Sequence, residues 1–336
     1  MTDGAREARA LPPVIDPVQQ LSTLGLVLRR PTLDDAEALF RLQADVDIHD
    51  YGALDMSLED IRAEMAEADL EADAWIAHPE GDAAEAVAYG VLAPRTGARF
   101  RGQVAVHPQR RRRGIGTALA ALLEARSRQR VDEVEDANAE VTLQGWINGD
   151  SEAAAVWSQA LGYEWARRFL RMRIDMGEPP PAPRWPDGIT VRSFRVGEDE
   201  RAMYEAQEEA FSDHWGHVAM PFEAWVRRAE RHDFDPELWL MALDGDRVVA
   251  TSTNSVIPDN LGWVSGLGVV PSHRRRGLAR AILLTAFNDF WRRGQHAVAL
   301  GVDADSPNGA TRLYESAGMR TVERHDQVRK VLRPAT

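Results

Sequence analysis

The sequence predicts an α/β protein built from two similar domains in tandem, each a mixed, mostly antiparallel sheet flanked by helices. The first observation is internal repetition, since three pairs of residues recur at one spacing of 163 residues: Arg29 and Arg192, Pro108 and Pro271, and Gly114 and Gly277. The second is that both halves show the same order of patterns, β-α-α-β-β-β-α-β-α-β. The third is the segment Met176–Gly188, whose five prolines predict an extended linker between the halves.

Each half begins with an apolar strand that leads into a helix. The strands are residues 25–29 and 188–192, and acidic residues follow at the predicted helix starts near Asp35 and Asp199. Hairpin-like patterns come next, and Asp244-Gly245-Asp246 is a strong turn signal between two strands. These features predict the first half of each sheet.

A long helix follows the third strand of each hairpin region. Its apolar residues recur at helical spacing in both halves: Ile115, Ala118, Leu119 and Leu122, and Leu283, Phe287, Phe290 and Trp291. A further strand, a helix and a glycine turn close each half. The two closing turns, residues 160–163 and 316–319, are 156 residues apart, so the first half carries seven more residues, which we place in the loop around residues 131–139.

These patterns divide the chain into four parts. We expect a flexible arm over residues 1–22, a first domain over 23–175, a linker over 176–187 and a second domain over 188–336. The start of the chain has no apolar segment of signal-peptide length, and no run of about 20 apolar residues predicts a membrane span.

Composition narrows the possible functions. The 336 residues carry a formal net charge of −13, which argues against binding along a nucleic-acid backbone. The absence of cysteine excludes disulfides, thiolate metal ligands and a cysteine nucleophile, and fits a cytoplasmic protein. We expect no metal and no membrane partner, and the sequence leaves the oligomeric state open.

The repeated basic stretches predict anion sites. In each half a strand is followed by R-x-x-G-x-(G/A) and then by a helix, starting at Arg111 and at Arg274. The glycine permits a tight turn, and free N–H groups at the helix start face the same way, which suits a pyrophosphate. Neither stretch matches a phosphate-binding G-x-x-x-x-G-K-[ST] loop or a G-x-G-x-x-G dinucleotide motif.

At these residues the sequence resembles the GNAT superfamily of acyl-CoA-dependent N-acetyltransferases. The family's (Q/R)-x-x-G-x-(G/A) motif matches both stretches, and its N-x-x-A-x-x-[LY]-Y-x-x-x-G-[FM] element matches from Ala310 through Tyr314 to Met319, with Asn308 one position closer to the alanine than the element has it. The similarity extends over about residues 24–332. It implies tandem GNAT-like domains, acetyl-CoA as the co-substrate, and transfer to the primary amine of a small molecule by direct attack in a ternary complex.

The resemblance also implies site residues in the second domain. Amides around Val269 and Val270 would hold pantetheine and polarise the thioester carbonyl, and Tyr314 would protonate the departing thiolate. The pyrophosphate would bind the amides of Arg274, Arg275, Arg276, Gly277, Leu278, Ala279 and Arg280, with Asn308 as a further cofactor contact.

The two halves differ where the leaving thiolate would lie. Aligning Gly162 with Gly318 places Ser158 at the position of Tyr314 and Glu152 at that of Asn308. Trp157 is one position away and cannot donate a proton of suitable pKa. We therefore expect the first domain to be catalytically silent, while its loop keeps an anion site at Arg111, Arg112, Arg113, Gly114, Ile115 and Gly116.

Within the family, the tandem organisation is similar to that of the mycothiol synthases, which acetylate a cysteinyl amine. That group has a glutamate eight residues before the equivalent of Pro271, whereas this sequence has Trp263. Neither the substrate nor the base therefore carries over. The sequence leaves several bases open, namely Asp213, His214, His217, Asp303 and Asp305, with bulk water as a further proton acceptor. A non-catalytic acyl-CoA-binding or regulatory protein is the alternative function.

Overall fold

The computed structural model describes residues 16–227, 233–306 and 308–336. The first half contains α1 (Pro17–Thr23), β1 (Leu26–Arg29), α2 (Ala36–Tyr51), α3 (Leu58–Glu67), α4 (Leu70–Asp73), β2 (Ala74–Pro79), β3 (Ala88–Thr96), β4 (Arg99–Val106), α5 (Ile115–Gln129), β5 (Val141–Asn148), α6 (Glu152–Ala160) and β6 (Glu164–Asp175). The second half contains β7 (Ile189–Ser193), α7 (Glu200–Phe211), α8 (Phe222–Val226), β8 (Leu240–Asp244), β9 (Arg247–Ile257), β10 (Leu261–Val269), α9 (Leu278–Arg292), β11 (Ala297–Asp303), α10 (Ala310–Ser316) and β12 (Arg320–Arg333).

All the described strands form one 12-stranded sheet, in the order β1-β2-β3-β4-β5-β12-β6-β11-β10-β9-β8-β7. Neighbouring strands are antiparallel except for two parallel pairs, β4 with β5 and β10 with β11. This is the predicted α/β class with a mixed, mostly antiparallel sheet in each half.

The two halves exchange their last strands. Strand β12, the end of the chain, pairs with β5 of the first half, with His325 opposite Asn148. Strand β6 pairs with β11 of the second half, with Met172 opposite Leu300, and β6 and β12 pair with each other in the centre. The expected division at residues 175 and 176 therefore separates β6 from the half of the sheet in which it lies. The residue pattern of a strand predicts that it joins a sheet but does not predict which strand it pairs with.

Residues 17–23 differ from the expected flexible arm. They form helix α1, which Asp16 caps by accepting a hydrogen bond from the backbone N–H of Val18 at 2.8 Å. Leu21 is completely buried in the core of the first half, together with Ile115 and Leu119 of α5. Burial of this one apolar side chain holds the short helix against the domain, because so short a helix is not stable alone. Residues 1–15 of the expected arm lie outside the described residues.

The helices cover both faces of the sheet. The predicted apolar stripes of α5 and α9 enter the core, with Leu119, Phe287 and Phe290 fully buried. A side chain at Gly262 of β10 would meet the Phe290 ring at 2.8 Å, so α9 packs directly on that strand. Helix α7 packs on the opposite face, where a side chain at Gly268 would meet Ala210 at 2.9 Å.

The repeated first arginine of each half anchors the following helix. Arg29 binds Asp35 through both Nη atoms, at 2.6 and 2.8 Å, and Arg192 binds Asp199 at 2.5 and 2.7 Å. Each aspartate stands just before the helix, where its negative charge also favours the helix dipole. In the described part of the chain, no helix is both long enough and apolar enough to cross a membrane.

Candidate active site

The two basic loops have the same backbone conformation. Gly114 and Gly277 each have a φ of 86°, immediately before α5 and α9. Two positions earlier, Arg112 and Arg275 have φ values of 61° and 63°, in the left-handed region that side chains other than glycine rarely adopt. Identical unusual angles at corresponding positions confirm that the sequence repeat is a structural repeat.

Each loop presents a row of free backbone N–H groups. Among the described residues, none of the amides of residues 275–280 donates to a backbone or side-chain acceptor, and the same holds for residues 112–117. The next amides, those of Ala118 and Ala281, make the first helical hydrogen bonds. Six consecutive free donors at the positive end of a helix are an arrangement that suits an anion, and both halves have it.

The side chains around the second loop differ in whether they are free to contact a ligand. Arg275 and Arg280 are exposed and make no ion pair with any described residue, so both remain available for phosphates. Arg276 lies 3.9 Å from Asp244. Leu278 is buried in the core, so only its amide can contact a ligand.

The surroundings of the two repeated glycines differ. At Gly277 no atom lies within 4 Å of where a β-carbon would stand, whereas at Gly114 the Nε2 of Gln20 lies 2.3 Å from that point. Gln20 belongs to α1 and donates a hydrogen bond to the carbonyl of Gly114 at 3.3 Å. The first loop thus keeps its conformation but has a side chain packed beside it.

A wedge opens between the parallel strands next to each loop. Strands β10 and β11 pair only from Gly262 to Val264, although β10 continues to Val269 and β11 to Asp303. Strands β4 and β5 likewise pair only over Arg99–Arg101. Beyond these short ladders the strands separate, which leaves room for an extended ligand to pass between them towards the other face of the sheet.

Of the two valines expected to bind pantetheine, only Val269 has a suitable amide. The N–H of Val270 donates to the carbonyl of Val249 on β9 at 3.0 Å, so it is already used within the sheet. Because hydrogen-bonded and non-hydrogen-bonded positions alternate along an antiparallel pair, the amides of Val269 and Leu267 face the wedge instead. The expectation for Val270 is wrong for this reason.

Tyr314 lies on α10, packed against the core that includes Val264, Leu300 and Val302. These side chains project from the two strands that border the wedge. Burial raises the pKa of Tyr314 to about 12, and its hydroxyl has no hydrogen-bond partner among the described residues. A neutral phenol beside the wedge is a proton donor without a competing acceptor.

The first half lacks this donor, as the alignment predicts. The last turns of α6 and α10 make matching hydrogen bonds, from the N–H of Tyr163 to Ser158 and from the N–H of Met319 to Tyr314, each at 3.0 Å. Ser158 therefore does occupy the position of Tyr314, but its hydroxyl donates to the carbonyl of Ala155 within its own helix.

Several of the candidate bases are engaged in ion pairs. Asp213 binds Arg274 at 2.5 Å, and this hydrogen bond lowers the pKa of Asp213. Asp303 is buried and accepts two hydrogen bonds of 2.9 Å from Nε of Arg167. Arg274 thus holds Asp213 in its charged form, which makes Asp213 a weak base, and Asp303 is engaged by Arg167.

The remaining candidates are less constrained. The imidazole of His217 lies 3.2 Å from Glu208, and the ring of His214 packs against Phe211 with centroids 5.3 Å apart. Asp305 is exposed at the end of β11, and its backbone N–H donates to Asp303.

Sequence reasoning missed a contribution from the first half to the site of the second. Arg171 of β6 lies over the Trp263 ring, 4.9 Å from its centroid, and binds Asp55 at 2.5 Å. It stands opposite Gly301, which is exposed in the middle of β11 and has no atom within 4 Å of a β-carbon position. No local signal could reveal this, because it depends on the exchange of β6 between the halves.

The described residues contain no cluster of three or more histidine, aspartate or glutamate side chains arranged to hold a metal ion.

The protein has two α/β halves. In each half, two parallel strands separate next to a loop of free backbone amides, an arrangement that suits an acyl-CoA. These features define a tandem protein of the acyl-CoA-dependent class. The chain belongs to the acetyltransferase (GNAT) family, whose model matches residues 37–143 and 200–319. It is an N-acetyltransferase that uses acetyl-CoA as co-substrate.

Two relatives with assigned functions illustrate the similarity. A mycothiol acetyltransferase of Thermomonospora curvata is 38% identical over 224 residues, which cover 66% of this chain and 71% of that protein. A mycothiol acetyltransferase of Kocuria rhizophila is 30% identical over 277 residues, covering 79% of this chain and 85% of that protein.

Solved structures show the same fold. A GCN5-related N-acetyltransferase from Sphaerobacter thermophilus has a TM-score of 0.79 and 36% identity, and the match covers 93% of this chain and 97% of that one. A tandem GNAT protein from the clavulanic acid biosynthesis pathway has a TM-score of 0.70 at 17% identity, covering 93% of this chain and 100% of that one, and supports the fold alone.

Proposed function

We propose that this acetyltransferase transfers the acetyl group of acetyl-CoA to the primary amine of a small molecule, by direct attack in a ternary complex formed in the second half. The observation that carries the proposal is the conjunction of three features: the free amides of residues 275–280, the wedge between β10 and β11, and the unpartnered phenol of Tyr314 beside it.

Each feature suits one part of the donor. The amides of residues 275–280 bind the pyrophosphate, and the exposed arginines Arg275 and Arg280 add charge. Pantetheine passes through the wedge, where the amide of Val269 polarises the thioester carbonyl. Asn308, exposed at the start of α10, is a further contact to the donor.

The reaction needs no covalent enzyme intermediate. The neutral amine attacks the thioester carbonyl, a C–N bond forms, the C–S bond breaks, and the amine loses one proton. Tyr314 donates its proton to the departing thiolate, and solvent restores the phenol. Since burial raises the pKa of Tyr314 to about 12, the phenol is protonated throughout the neutral range.

The proton of the amine is taken by a group that is not paired with an arginine. Asp213 and Asp303 are both paired, which leaves His214, His217 and Asp305, or water, for this step. His217 is hydrogen-bonded to Glu208, a contact that keeps its ring oriented.

The first half has a structural role in this proposal. Its loop keeps six free amides and its strands open the same wedge, so it holds a second CoA as a bound ligand. It turns over no substrate, because the hydroxyl of Ser158 is used inside α6.

The relatives named as mycothiol acetyltransferases make a cysteinyl amine the first acceptor to test. Trp263 stands where that group has a glutamate, so other small primary amines belong in the same screen. The test measures free CoA released from acetyl-CoA with each amine, for the natural protein and for Tyr314→Phe. Release that depends on both the amine and Tyr314 supports the proposal. Tight CoA binding without release for any amine favours a non-catalytic acyl-CoA-binding protein instead.

A further inference from the structure

The first arginine of the second loop points into the protein. Its Nε donates to the carbonyl of Val269 at 3.2 Å, and its Nη2 donates to the carbonyl of Ala210 at 2.9 Å. The two Nη atoms bind the carboxylate of Asp213 at 2.5 and 3.0 Å, and Nη1 also donates to Asn308 at 3.4 Å. This arginine is Arg274.

These contacts use all the donors of the guanidinium group. An arginine has five N–H bonds, and five hydrogen bonds leave Arg274. None remains for a phosphate oxygen. The backbone N–H of Arg274 donates to the carbonyl of Pro271 at 3.3 Å, so the prediction that this amide binds the pyrophosphate is wrong, and the side chain too is used within the protein.

The first half contains the same arrangement. Arg111 donates through Nε to the carbonyl of Val106 at 3.1 Å and binds Asp50 at 2.6 and 2.9 Å. Arginine, aspartate and valine are all displaced by the repeat spacing of 163 residues. The pair is therefore part of the repeated unit, whereas among the described residues the additional contacts to a helix carbonyl and to Asn308 are made by Arg274 and not by Arg111.

In the second half these contacts join four elements at the candidate site. Val269 is the last residue of β10, and its amide faces the wedge. Ala210 lies in the last turn of α7. Asp213 starts the segment 212–220 that follows α7, and Asn308 precedes α10, which carries Tyr314. A side chain at Gly268 would clash with Ala210, so α7 already lies as close to β10 as the backbone permits.

We propose that Arg274 is a positioning residue: with Asp213 it clamps the segment 212–220 and the start of α10 to the end of β10, and so sets the acceptor side of the site relative to the thioester. This rests on the proposed function, in which His214 and His217 of segment 212–220 are candidates to take the proton of the amine. The clamp acts on the geometry of the ternary complex and leaves the pyrophosphate contacts to the backbone amides.

The clamp makes a distinctive prediction for the two ligands. Breaking it with Arg274→Met or Asp213→Asn raises the KM for the amine about tenfold and lowers kcat, because misplacement of a reacting group slows the reaction. The Kd for CoA, measured by calorimetry, stays within about threefold in both variants, because the phosphate-binding amides remain. The double variant changes the KM for the amine and kcat no more than the single variant with the larger effect, because all three variants lose the same interaction.

A second measurement does not require an acceptor. Hydrogen exchange of the backbone amides in segment 212–220 becomes faster in both single variants of the full-length protein, and exchange in β10 does not change. If no amine is acetylated by the natural protein, the proposed function fails, while this measurement and the CoA titration still test the clamp.

Asp50→Asn is the matched control, because it breaks the same pair in the half that lacks Tyr314. It leaves the KM for the amine and exchange in segment 212–220 unchanged. The clamp is overturned if Arg274→Met weakens CoA binding tenfold or more while Asp213→Asn does not, since Arg274 would then be a phosphate ligand. Unchanged KM and unchanged exchange in both variants would overturn it as well.

Discussion

One hydroxyl group distinguishes the two halves at the position where we propose that the thiolate leaves. Tyr314 keeps an unpartnered phenol, whereas Ser158 donates its proton to its own helix. The sequence predicts this difference because both residues lie in a short element of fixed spacing to a glycine turn. Local spacing of this kind is the most reliable information that a sequence contains about a site.

Replacing the phenol therefore tests the location of catalysis. With an accepted amine, Tyr314→Phe lowers kcat about 100-fold, within the usual range for a lost general acid. The substitution removes no hydrogen bond, so the melting temperature changes little. Ser158→Ala serves as the control and leaves turnover unchanged. Equal losses in both variants, or a loss only in Ser158→Ala, would move the chemistry to the first half.

The roles of other residues could not be predicted from the sequence. Asp213 is a plausible base from its place in a polar loop, but its partner Arg274 is 61 residues away and only the folded chain brings them together. Val270 is a plausible pantetheine contact, but whether an amide faces the wedge depends on which residues of β9 and β10 form hydrogen-bonded pairs.

The buried ion pair of Arg192 with Asp199 makes stability depend on pH. The hydrogen bond from Arg192 lowers the pKa of Asp199. A lowered folded pKa stabilises the protein above the unfolded value of about 3.9, and this stabilisation is lost as the pH falls through the folded value. Asp199→Asn should cost about 2 kcal/mol at pH 7, the contribution of a hydrogen-bonded charged group.

Urea denaturation at pH 7 and at pH 3 measures this effect. The difference in free energy of unfolding between the natural protein and Asp199→Asn is smaller at pH 3, because Asp199 of the natural protein begins to lose its charge. Glu198→Gln is the control: Glu198 is exposed and its pair with Arg195 contributes little. A difference that is the same at both pH values would contradict the interpretation.

At the scale of elements, the conformation of the two glycine loops before α5 and α9 was predictable and α1 was not. The loops follow from a local motif in which one glycine at positive φ starts a helix. Helix α1 has seven residues and a polar, proline-containing neighbourhood, so its sequence suggests an arm. The burial of Leu21 against α5 and the hydrogen bond of Gln20 to Gly114 fix its position, and a single buried leucine leaves no periodic pattern.

The loops are tested by counting bound CoA. Calorimetry should find two sites in the natural protein, one in Gly277→Glu and one in Gly114→Glu, because each substitution places a carboxylate beside the free amides. Gly277→Asn is the control: asparagine tolerates positive φ and adds no charge, so its site remains within a few-fold of the original affinity.

Gln20→Ala completes this experiment. One site in both the natural protein and Gly114→Glu, with a second site appearing in Gln20→Ala, would show that α1 excludes the ligand from the first loop. One site in all three proteins would show that the first loop binds no CoA. Unchanged affinity in Gly277→Glu would remove the assignment of the second loop.

At the scale of the whole molecule, the predicted tandem α/β class is confirmed, and the exchange of β6 and β12 is what the sequence did not reveal. The two strands have closely similar patterns because the halves are repeats. Either could pair beside β5 or beside β11 on pattern alone, and the choice depends on the complete sheet.

The exchange predicts that neither half is stable alone. Residues 1–187 lack β12, so both β5 and β6 would have open edges, and residues 188–336 leave β11 without a neighbour on one side. Each fragment should aggregate or show little protection from hydrogen exchange when produced alone. Co-produced, the two should associate and recover acetyl-CoA binding. A well-folded monomeric fragment of residues 23–175 would show that the halves are independent.

The position of β12 has a consequence for how the chain is made. Strand β5 ends at Asn148, but the strand that covers its edge begins only at Arg320, at the far end of the chain. The ribosome therefore has to synthesise all the residues between Asn148 and Arg320, and then β12 itself, before the first half can close its sheet. Until then an unpaired edge is exposed to other nascent chains, and the distant pairing slows folding. The fourteen residues of β12 close the sheet of the half that was made first, so premature termination ahead of them damages that half.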